Sequence, residues 1–217
     1  MRRCAALGKI LMQELTNHVV EYLKTYVPEF GSDPILARTL LNALVAAYPE
    51  GQVISSDGSL YLFDGAVWNR IEHNTLISMA LLFDGLWLDL DKPKRLTVGL
   101  AKVQSVASTT LLIHDILKKK HFETVPLGVA GKEGFWTATE DGIEMLEHSP
   151  DNRCTWSYDF AIDDKNKPNN WYKFLWSLWR DDPDVSGKVD ALQEWMGCCL
   201  IGRSTSFARC LLLVGKG

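Results

Sequence analysis

The spacing of apolar positions predicts helices at both ends of the chain and short strands between them. In the first fifty residues, apolar side chains recur every three or four positions, which predicts helices over residues 7–26 and 34–47. Asp33 is the predicted cap of the second helix, and Pro34 suits its first turn. This part of the chain is therefore predicted to form a helical pair.

Turn residues and short apolar runs follow. Ser56-Asp57-Gly58-Ser59 predicts a turn, and residues 60–63 and 67–71 predict two strands. Asp64-Gly65 predicts a tight hairpin turn between them, because glycine accepts a positive φ. A second hairpin is predicted over residues 129–136, with further strands over residues 143–146 and 154–158.

Two more helices are predicted between the hairpins, over residues 75–83 with Asn74 as the cap and over residues 96–120. The second ends in Lys118, Lys119 and Lys120. These lysines either complement the negative end of the helix dipole or contact phosphate. The net charge of −4 favours the first interpretation.

An aromatic helix is predicted near the C-terminus, in the run W-Y-K-F-L-W-S-L-W over residues 171–179. It is apolar nearly all round, which predicts burial on two sides, in a core or at a subunit interface. Stacking of its tryptophans on nucleic-acid bases is the alternative. Another helix is predicted over residues 186–200.

The last seven residues are an apolar run, Leu211–Val214, followed by Gly215, Lys216 and Gly217. A strand that ends in glycines is how a phosphate-binding loop begins, although a plain strand end has the same pattern. The second glycine, the phosphate-binding lysine and the Ser/Thr of the full signature G-x-x-x-x-G-K-[ST] are missing. The pattern predicts a partial Walker A loop at Gly215, Lys216 and Gly217.

Size, charge and cysteine content limit the classes of function that the chain can have. The 217 residues allow one large domain or two small ones, and the acidic balance argues against a generic nucleic-acid coat without excluding a local basic patch. Five cysteines without a C-x-x-C predict a reducing compartment. No stretch offers 18 uncharged apolar residues, so no membrane span is predicted. The sequence contains neither a set of residues at metal-ligand spacing nor a catalytic group that this chain completes alone.

Four segments occur in a characteristic order: Y-L-F-D-G-A-V-W over residues 61–68, V-A-G-K-E-G-F-W over residues 129–136, W-Y-K-F-L over residues 171–175, and the run from Leu192 to Gly217. Glu147-His148-Ser149-Pro150 follows the second of them. In this order they resemble the domain that precedes the helicase in phage and plasmid primase–helicases, a family that includes the poxvirus primase–helicase. The resemblance covers about residues 51–217.

The resemblance implies an α+β fold, mainly helical with small antiparallel β-hairpins, whose C-terminal helical segment leads into a truncated AAA+-type ATPase core. Apolar spacing predicts a helical segment over residues 1–50, and the resemblance implies a pre-helicase domain over residues 51–165 and the helical lead-in and first helicase strand over residues 166–217. The full-length protein would bind ATP and Mg²⁺, whereas none is expected for this chain alone.

The implied partners are DNA, other replication proteins and further copies of the chain in a ring, most simply a hexamer, with no membrane partner. The implied location is the cytoplasm of a bacterial host, in a protein encoded by a phage or prophage. The parent would be an ATP-dependent DNA helicase, with or without primase activity, and this chain would be inactive by itself. The alternative is a free-standing protein-interaction or DNA-binding adaptor domain without ATPase activity, in which Lys118, Lys119 and Lys120 and the turn at Asp64-Gly65 contact DNA.

Overall fold

The computed structural model describes residues 2–28, 31–48, 51–88, 94–113, 115–159 and 169–201, with the backbone alone for residues 2–12. Contacts divide the chain into two units, residues 1–125 with 149–156 and residues 126–148 with 157–217. The described residues form helices and small antiparallel sheets, so the predicted α+β class is confirmed. The three segments predicted from the sequence stay a prediction. Among the described helices, none is long and apolar enough to cross a membrane.

Four helices of the first unit surround its main core, and their bounds are α1 Arg2–Thr25, α2 Asp33–Ala47, α3 His73–Ala80 and α4 Leu100–Leu111. A 3₁₀ turn, Leu81–Phe83, extends α3. Leu36, Leu40 and Leu44 lie four residues apart on α2 and are fully buried. Each such side chain stabilises the fold by ~1.5–3 kcal/mol through burial. The predicted helical pair is therefore confirmed, and the buried side chains at this spacing stabilise it.

The caps of two helices differ from the prediction by one or two residues. Ser32, with an extended backbone, holds the N-cap position of α2, and the predicted cap Asp33 is its first helical residue. Glu72 holds the N-cap position of α3, one residue before His73 and two before the predicted cap Asn74. Several polar residues stand in a row at both helix starts, so local sequence alone does not distinguish them.

The helix predicted over residues 96–120 is shorter. α4 begins after Gly99, which holds the N-cap position, and it ends at Leu111. Leu112 is 71% exposed and no longer helical. Lys118, Lys119 and Lys120 therefore do not lie at a helix C-terminus, and their predicted interaction with the helix dipole is wrong.

The first sheet has the order β1-β2-β3, with β1 at Val53–Ser56, β2 at Ser59–Phe63 and β3 at Trp68–Ile71. Asp57 and Gly58 have φ values of 49° and 72°, which is the backbone that a two-residue hairpin turn requires. The β2–β3 hairpin is confirmed, although its turn spans residues 64–67. The Asp64 carboxylate stabilises that turn by accepting hydrogen bonds of 2.9 Å from the amides of Ala66 and Val67.

The two faces of this sheet are covered differently. The inner face packs on the helices and belongs to the main core, through Val53, Leu60, Leu62 and Ile71. Alternation along the strands places the intervening side chains on the outer face. There Ile54, Phe63 and Trp68 form a second, smaller cluster with Tyr61 and Phe122. The outer face is therefore lined with aromatic side chains, and Phe122, which lies outside the three strands, packs against it.

A two-stranded ribbon follows α3. β4, Trp87–Leu88, pairs antiparallel with β5, Lys94–Arg95. Gly85, at φ 80°, turns the chain out of the helix. The apolar run Leu86-Trp87-Leu88 predicts that packing continues after the break at Asp84-Gly85. This is confirmed, since Leu88 belongs to the main core and Leu86 packs against it, with Trp87 and Leu88 in a strand.

The second unit contains a second sheet of order β6-β7-β8 and two helices, with the bounds β6 Gly128–Ala130, β7 Phe135–Thr139, β8 Gly142–Leu146, α5 Asn169–Leu178 and α6 Val185–Leu200. The predicted hairpin over residues 129–136 and the following strand are confirmed. The strand predicted over residues 154–158 is absent from that described segment.

The aromatic helix α5 is less buried than its sequence predicts. Leu175 is fully buried, but Phe174 is 51% and Trp176 47% exposed. Tyr172 and Leu178 are exposed as well. The predicted burial of α5 on two sides within the core is therefore wrong, and the predicted subunit interface stays a prediction.

Candidate nucleic-acid interface

The sequence predicts two sets of site residues, and the structure describes one of them. Gly215, Lys216 and Gly217 lie outside the described residues. Lys118, Lys119 and Lys120 lie in the first unit, after α4, and all three are exposed. The lysines therefore define the site that the structure describes.

The backbone around Lys118 extends the first sheet. The Ser55 amide donates to the carbonyl oxygen of Ile116 at 2.7 Å, and the Lys118 amide donates to the carbonyl oxygen of Ser55 at 2.8 Å. This pairing is parallel. Lys120 then takes a left-handed backbone at φ 59°, and the His121 amide donates to the Ser56 hydroxyl at 3.3 Å. The edge of β1 and the turn at Lys120 thus lead the chain onto the outer face of the sheet.

Aromatic rings meet on that face. The Phe122 ring centroid lies 4.5 Å from that of Tyr61, and the His121 centroid lies 5.4 Å from that of Trp68. Trp68 and Phe63 are 1% and 3% exposed, so they form a core and are closed to a ligand. Tyr61, His121 and Phe122 are half-buried, so part of each ring surface is open. Open aromatic surface beside cations is the arrangement that stacks on bases of single-stranded nucleic acid.

Cationic side chains lie near these rings, since Arg153 and Lys118 both act on His121. Arg70 lies opposite Tyr61 in the β2–β3 pairing, is exposed, and donates Nε to the Ser59 hydroxyl at 3.0 Å. Arg153 donates Nη1 to the carbonyl and hydroxyl oxygens of Thr124, each at 2.9 Å. We call Tyr61, Arg70, Lys118, Lys119, His121 and Phe122 the basic-aromatic face.

Acidic neighbours reduce the positive charge of this face without cancelling it. Lys120 pairs with Glu123 at 2.9 Å, but both side chains are more than half exposed, so the pair is weak. Asp57 lies at the β1–β2 turn and accepts a hydrogen bond from the Ser56 hydroxyl. Lys118 and Lys119 have no acidic partner among the described residues. They are the cations of this segment most available to phosphate.

His121 is the titratable group at the centre of the face. Burial lowers its pKa below the ordinary value of 6.5, and the nearby Arg153 guanidinium lowers it further, whereas Asp151 opposes the shift. Within the described structure, Nε2 of His121 and Nε of Arg153 are buried without a hydrogen-bond partner. The neutral imidazole is therefore the favoured form at neutral pH.

The turn at Asp64-Gly65 does not join this face. The Asp57–Gly58 turn, beside which Lys118 is held, and the Asp64–Gly65 turn lie at opposite ends of β2. Four residue steps of a strand separate them by ~13 Å. The Asp64 carboxylate is also occupied by its own turn. The predicted contact of this turn and the lysines with one DNA molecule stays a prediction.

Sequence reasoning missed Arg70, His121 and Phe122, although His121 and Phe122 directly follow the lysines. An aromatic residue next to a basic run is a local pattern that could have drawn attention to them. Arg70 lies forty-eight positions before Lys118, so only the sheet brings it to the same face.

Neither the arrangement of metal-binding residue types nor the comparison with known proteins assigns a function to this site. Within the described ranges, no group of three His, Cys, Asp or Glu side chains is arranged to hold a metal ion. No known protein-family model matches the chain, and a search of curated proteins finds no match.

Proposed function

We propose that the chain is the domain that precedes the superfamily 3 helicase in a phage- or plasmid-type primase–helicase. The order of its four characteristic segments carries this proposal. In the fold, each segment lies in its own element: residues 61–68 in the β2–β3 hairpin, residues 129–136 in the β6–β7 hairpin, residues 171–175 in α5, and residues 192–200 in α6.

In this proposal the domain supports ATP-driven DNA unwinding in replication. Gly215, Lys216 and Gly217 begin the Walker A loop, and the phosphate-binding lysine and the Mg²⁺-side Ser/Thr belong to the residues that follow. The AAA+-type core, the hexameric ring, the bound ATP and Mg²⁺ and the cytoplasmic location of a phage or prophage protein are all parts of the same proposal.

The coding sequence downstream of Gly217 tests it directly. We expect a glycine and then Lys-Ser or Lys-Thr within a few codons, which completes the phosphate loop. The 217-residue chain itself is expected to hydrolyse no ATP. A downstream sequence without Gly-Lys-[Ser/Thr], or ATP turnover by the chain alone, contradicts the proposal. A stop codon there favours the alternative of an adaptor domain.

We further propose that the basic-aromatic face contacts DNA. Lys118 and Lys119 supply phosphate contacts, and the open ring surface of Tyr61 and Phe122, 4.5 Å apart, supplies a stacking surface. This favours single-stranded over double-stranded DNA, because bases in a duplex are already stacked. The same contact serves a pre-helicase domain and a DNA-binding adaptor, so it is independent of the choice between them.

Fluorescence anisotropy with a labelled oligothymidylate tests the contact. The double variant Lys118→Gln/Lys119→Gln is compared with Lys24→Gln/Lys173→Gln, which removes the same charge from two exposed lysines elsewhere. We expect the first variant to weaken binding and to reduce the slope of log K against log salt by about 1.4, and the second to leave both unchanged.

A third variant separates stacking from charge. Phe122→Leu keeps an apolar side chain over the cluster and removes the aromatic surface, so it is expected to weaken binding without changing the salt slope. Equal affinities of the wild type, the double lysine variant and the control contradict DNA contact at this face.

A further inference from the structure

A cavity of ≈ 490 Å³ lies in the first unit, away from the basic-aromatic face. Leu88 and Leu96 form an apolar part of its wall, and Lys94, Arg95 and Lys102 form a cationic part. Its volume is within the range of small-molecule sites in proteins, roughly 300–1,000 Å³. The β4–β5 ribbon and the start of α4 supply these residues.

The cations of this cavity are incompletely paired. The Lys102 ammonium lies 4.0 Å from the Asp33 carboxylate, at the outer limit of an ion pair. Arg95 donates Nε to the carbonyl oxygen of Gly85 at 3.1 Å, which fixes the plane of its guanidinium, and its Nη groups have no hydrogen-bond partner among the described residues. Lys94 is exposed and has no acidic partner among the described residues. Among the described residues, three cations line the cavity and one carboxylate pairs with them, and the mutual repulsion of the cations favours an anion between them.

Backbone groups contribute to the same side of the cavity. Gly31 lines it, and a Cβ atom there would lie 2.7 Å from Leu96 Cδ1 and 3.9 Å from Lys102 Nζ. Glycine thus lets the backbone come close to the lysine. The N-terminus of α2 follows directly, with Ser32 at the cap and no side-chain hydrogen bond to the first turn. The partial positive charge of that helix end adds to the three side chains.

We propose that this cavity binds a phosphate group. Arginine offers two parallel donors that match two phosphate oxygens, and the two lysines act as point charges on the remaining oxygens. Among the described residues at the cavity, the three cations exceed the one paired carboxylate, Asp33, by two charges, which matches a phosphate dianion better than a carboxylate. The apolar wall excludes water from one side and strengthens these contacts.

The phosphate has two chemical sources, a small free compound or the backbone of a nucleic acid. The cavity and the basic-aromatic face lie beyond opposite ends of α4, whose twelve residues span ~18 Å. The phosphate site is therefore independent of the DNA contact and of the helicase assignment, and variants in one leave the other intact.

Isothermal titration calorimetry with inorganic pyrophosphate, and separately with a 5′-phosphorylated oligothymidylate, tests the proposal. The wild-type chain is compared with Lys94→Gln/Lys102→Gln, with Lys94→Gln alone, and with the matched charge control Lys24→Gln/Lys173→Gln. Because the Lys94 side chain is exposed, its single variant keeps the fold even where the double variant is less stable. Amide shifts of Gly31 and residues 94–102 in NMR spectra locate the ligand.

We expect the double variant to lose affinity by at least about tenfold and the single variant by several-fold, with the control unchanged. Loss of pyrophosphate binding assigns the site to small phosphate compounds. If pyrophosphate does not bind and the variants lose affinity for the oligonucleotide, the site is assigned to the nucleic-acid backbone. Absence of binding of both probes at millimolar concentration, or binding that Lys94→Gln leaves unchanged, overturns the proposal.

Discussion

The backbone amide of Lys118 donates a hydrogen bond of 2.8 Å to the carbonyl oxygen of Ser55, which joins the segment after α4 to the edge of β1. Ser55 is 1% exposed, so its carbonyl group depends on this donor for a partner. The Lys118 side chain is exposed. One residue thus combines a structural backbone with a side chain that is free to contact a ligand.

Replacement of Lys118 by proline separates these two roles. Lys118→Pro removes the amide donor and leaves the buried Ser55 carbonyl unsatisfied, so we expect a loss of about 1–3 kcal/mol in the free energy of unfolding. Lys118→Gln keeps the donor and is expected to stay within about 0.5 kcal/mol of wild type. Urea unfolding followed by circular dichroism measures both. Equal stabilities of the two variants would show that the β1 edge does not need this bond.

The indole of Trp68 links the outer face of the first sheet to the segment at Pro150. Its Nε1 donates to the carbonyl oxygen of Pro150 at 2.9 Å, and its ring is 1% exposed. Trp68→Phe loses the hydrogen bond and leaves a cavity, so we expect destabilisation of about 2–4 kcal/mol. Trp87→Phe, at a position 60% exposed, is the control and is expected to change little. A smaller effect at Trp68 than at Trp87 in thermal denaturation contradicts this role.

Gly128 is required by close packing in the second sheet. A Cβ atom at this position would lie 2.2 Å from Phe135 Cζ and 2.6 Å from the Trp136 carbonyl oxygen. Because Phe135 is 2% exposed and has little room to move, Gly128→Ala is expected to destabilise the protein by about 1–3 kcal/mol.

Gly197 provides the matched control, since it lies inside α6 and a Cβ atom there would meet no described neighbour within 4 Å. Gly197→Ala is therefore expected to stabilise the protein by roughly 0.5–1 kcal/mol through helix propensity. Urea midpoints that shift in the same direction for both glycine variants refute the packing argument.

His121 makes the stability of the first unit depend on pH. Burial and Arg153 lower its pKa in the folded state, so between that value and the unfolded value of 6.5 the unfolded chain binds more protons. Stability is therefore expected to rise with pH through this window, and to be lost as the pH falls below the ordinary histidine range. Lys118, which is also cationic, acts in the same direction as Arg153, and Asp151 opposes both.

The His121→Gln variant is expected to flatten this dependence, while His73→Gln, at an exposed position, preserves it. Urea midpoints measured across the weakly acidic to neutral range give the two slopes. A slope for His121→Gln as steep as that of wild type assigns the pH dependence to another group.

The β2–β3 hairpin was predictable because its determinants are local: Gly65 provides the backbone freedom and Asp64 the side-chain acceptor that the turn needs. At Asp57-Gly58 only the turn was predicted, and the strand before it, β1, was missed. The end of α4 was not predictable in this way. Apolar residues continue at helical spacing beyond Leu111, since Ile116 is buried again, but it is buried beside β1 and outside any helix. Apolar periodicity indicates that a side chain is buried, but it does not indicate which kind of element contains that residue.

By itself, the sequence determined the α+β class, the two hairpins and the approximate positions of the helices, because backbone preferences and apolar spacing act over a few residues. Tertiary structure alone decided that Lys118 leaves the helix for a sheet edge, that Arg70 and Phe122 meet on one face, and that Lys94, Arg95 and Lys102 line one cavity. The first two arrangements join residues far apart in the chain, whereas the third depends on how the β4–β5 ribbon packs against the start of α4. The first arises because a buried carbonyl group at a strand edge must find a donor wherever the folded chain supplies one.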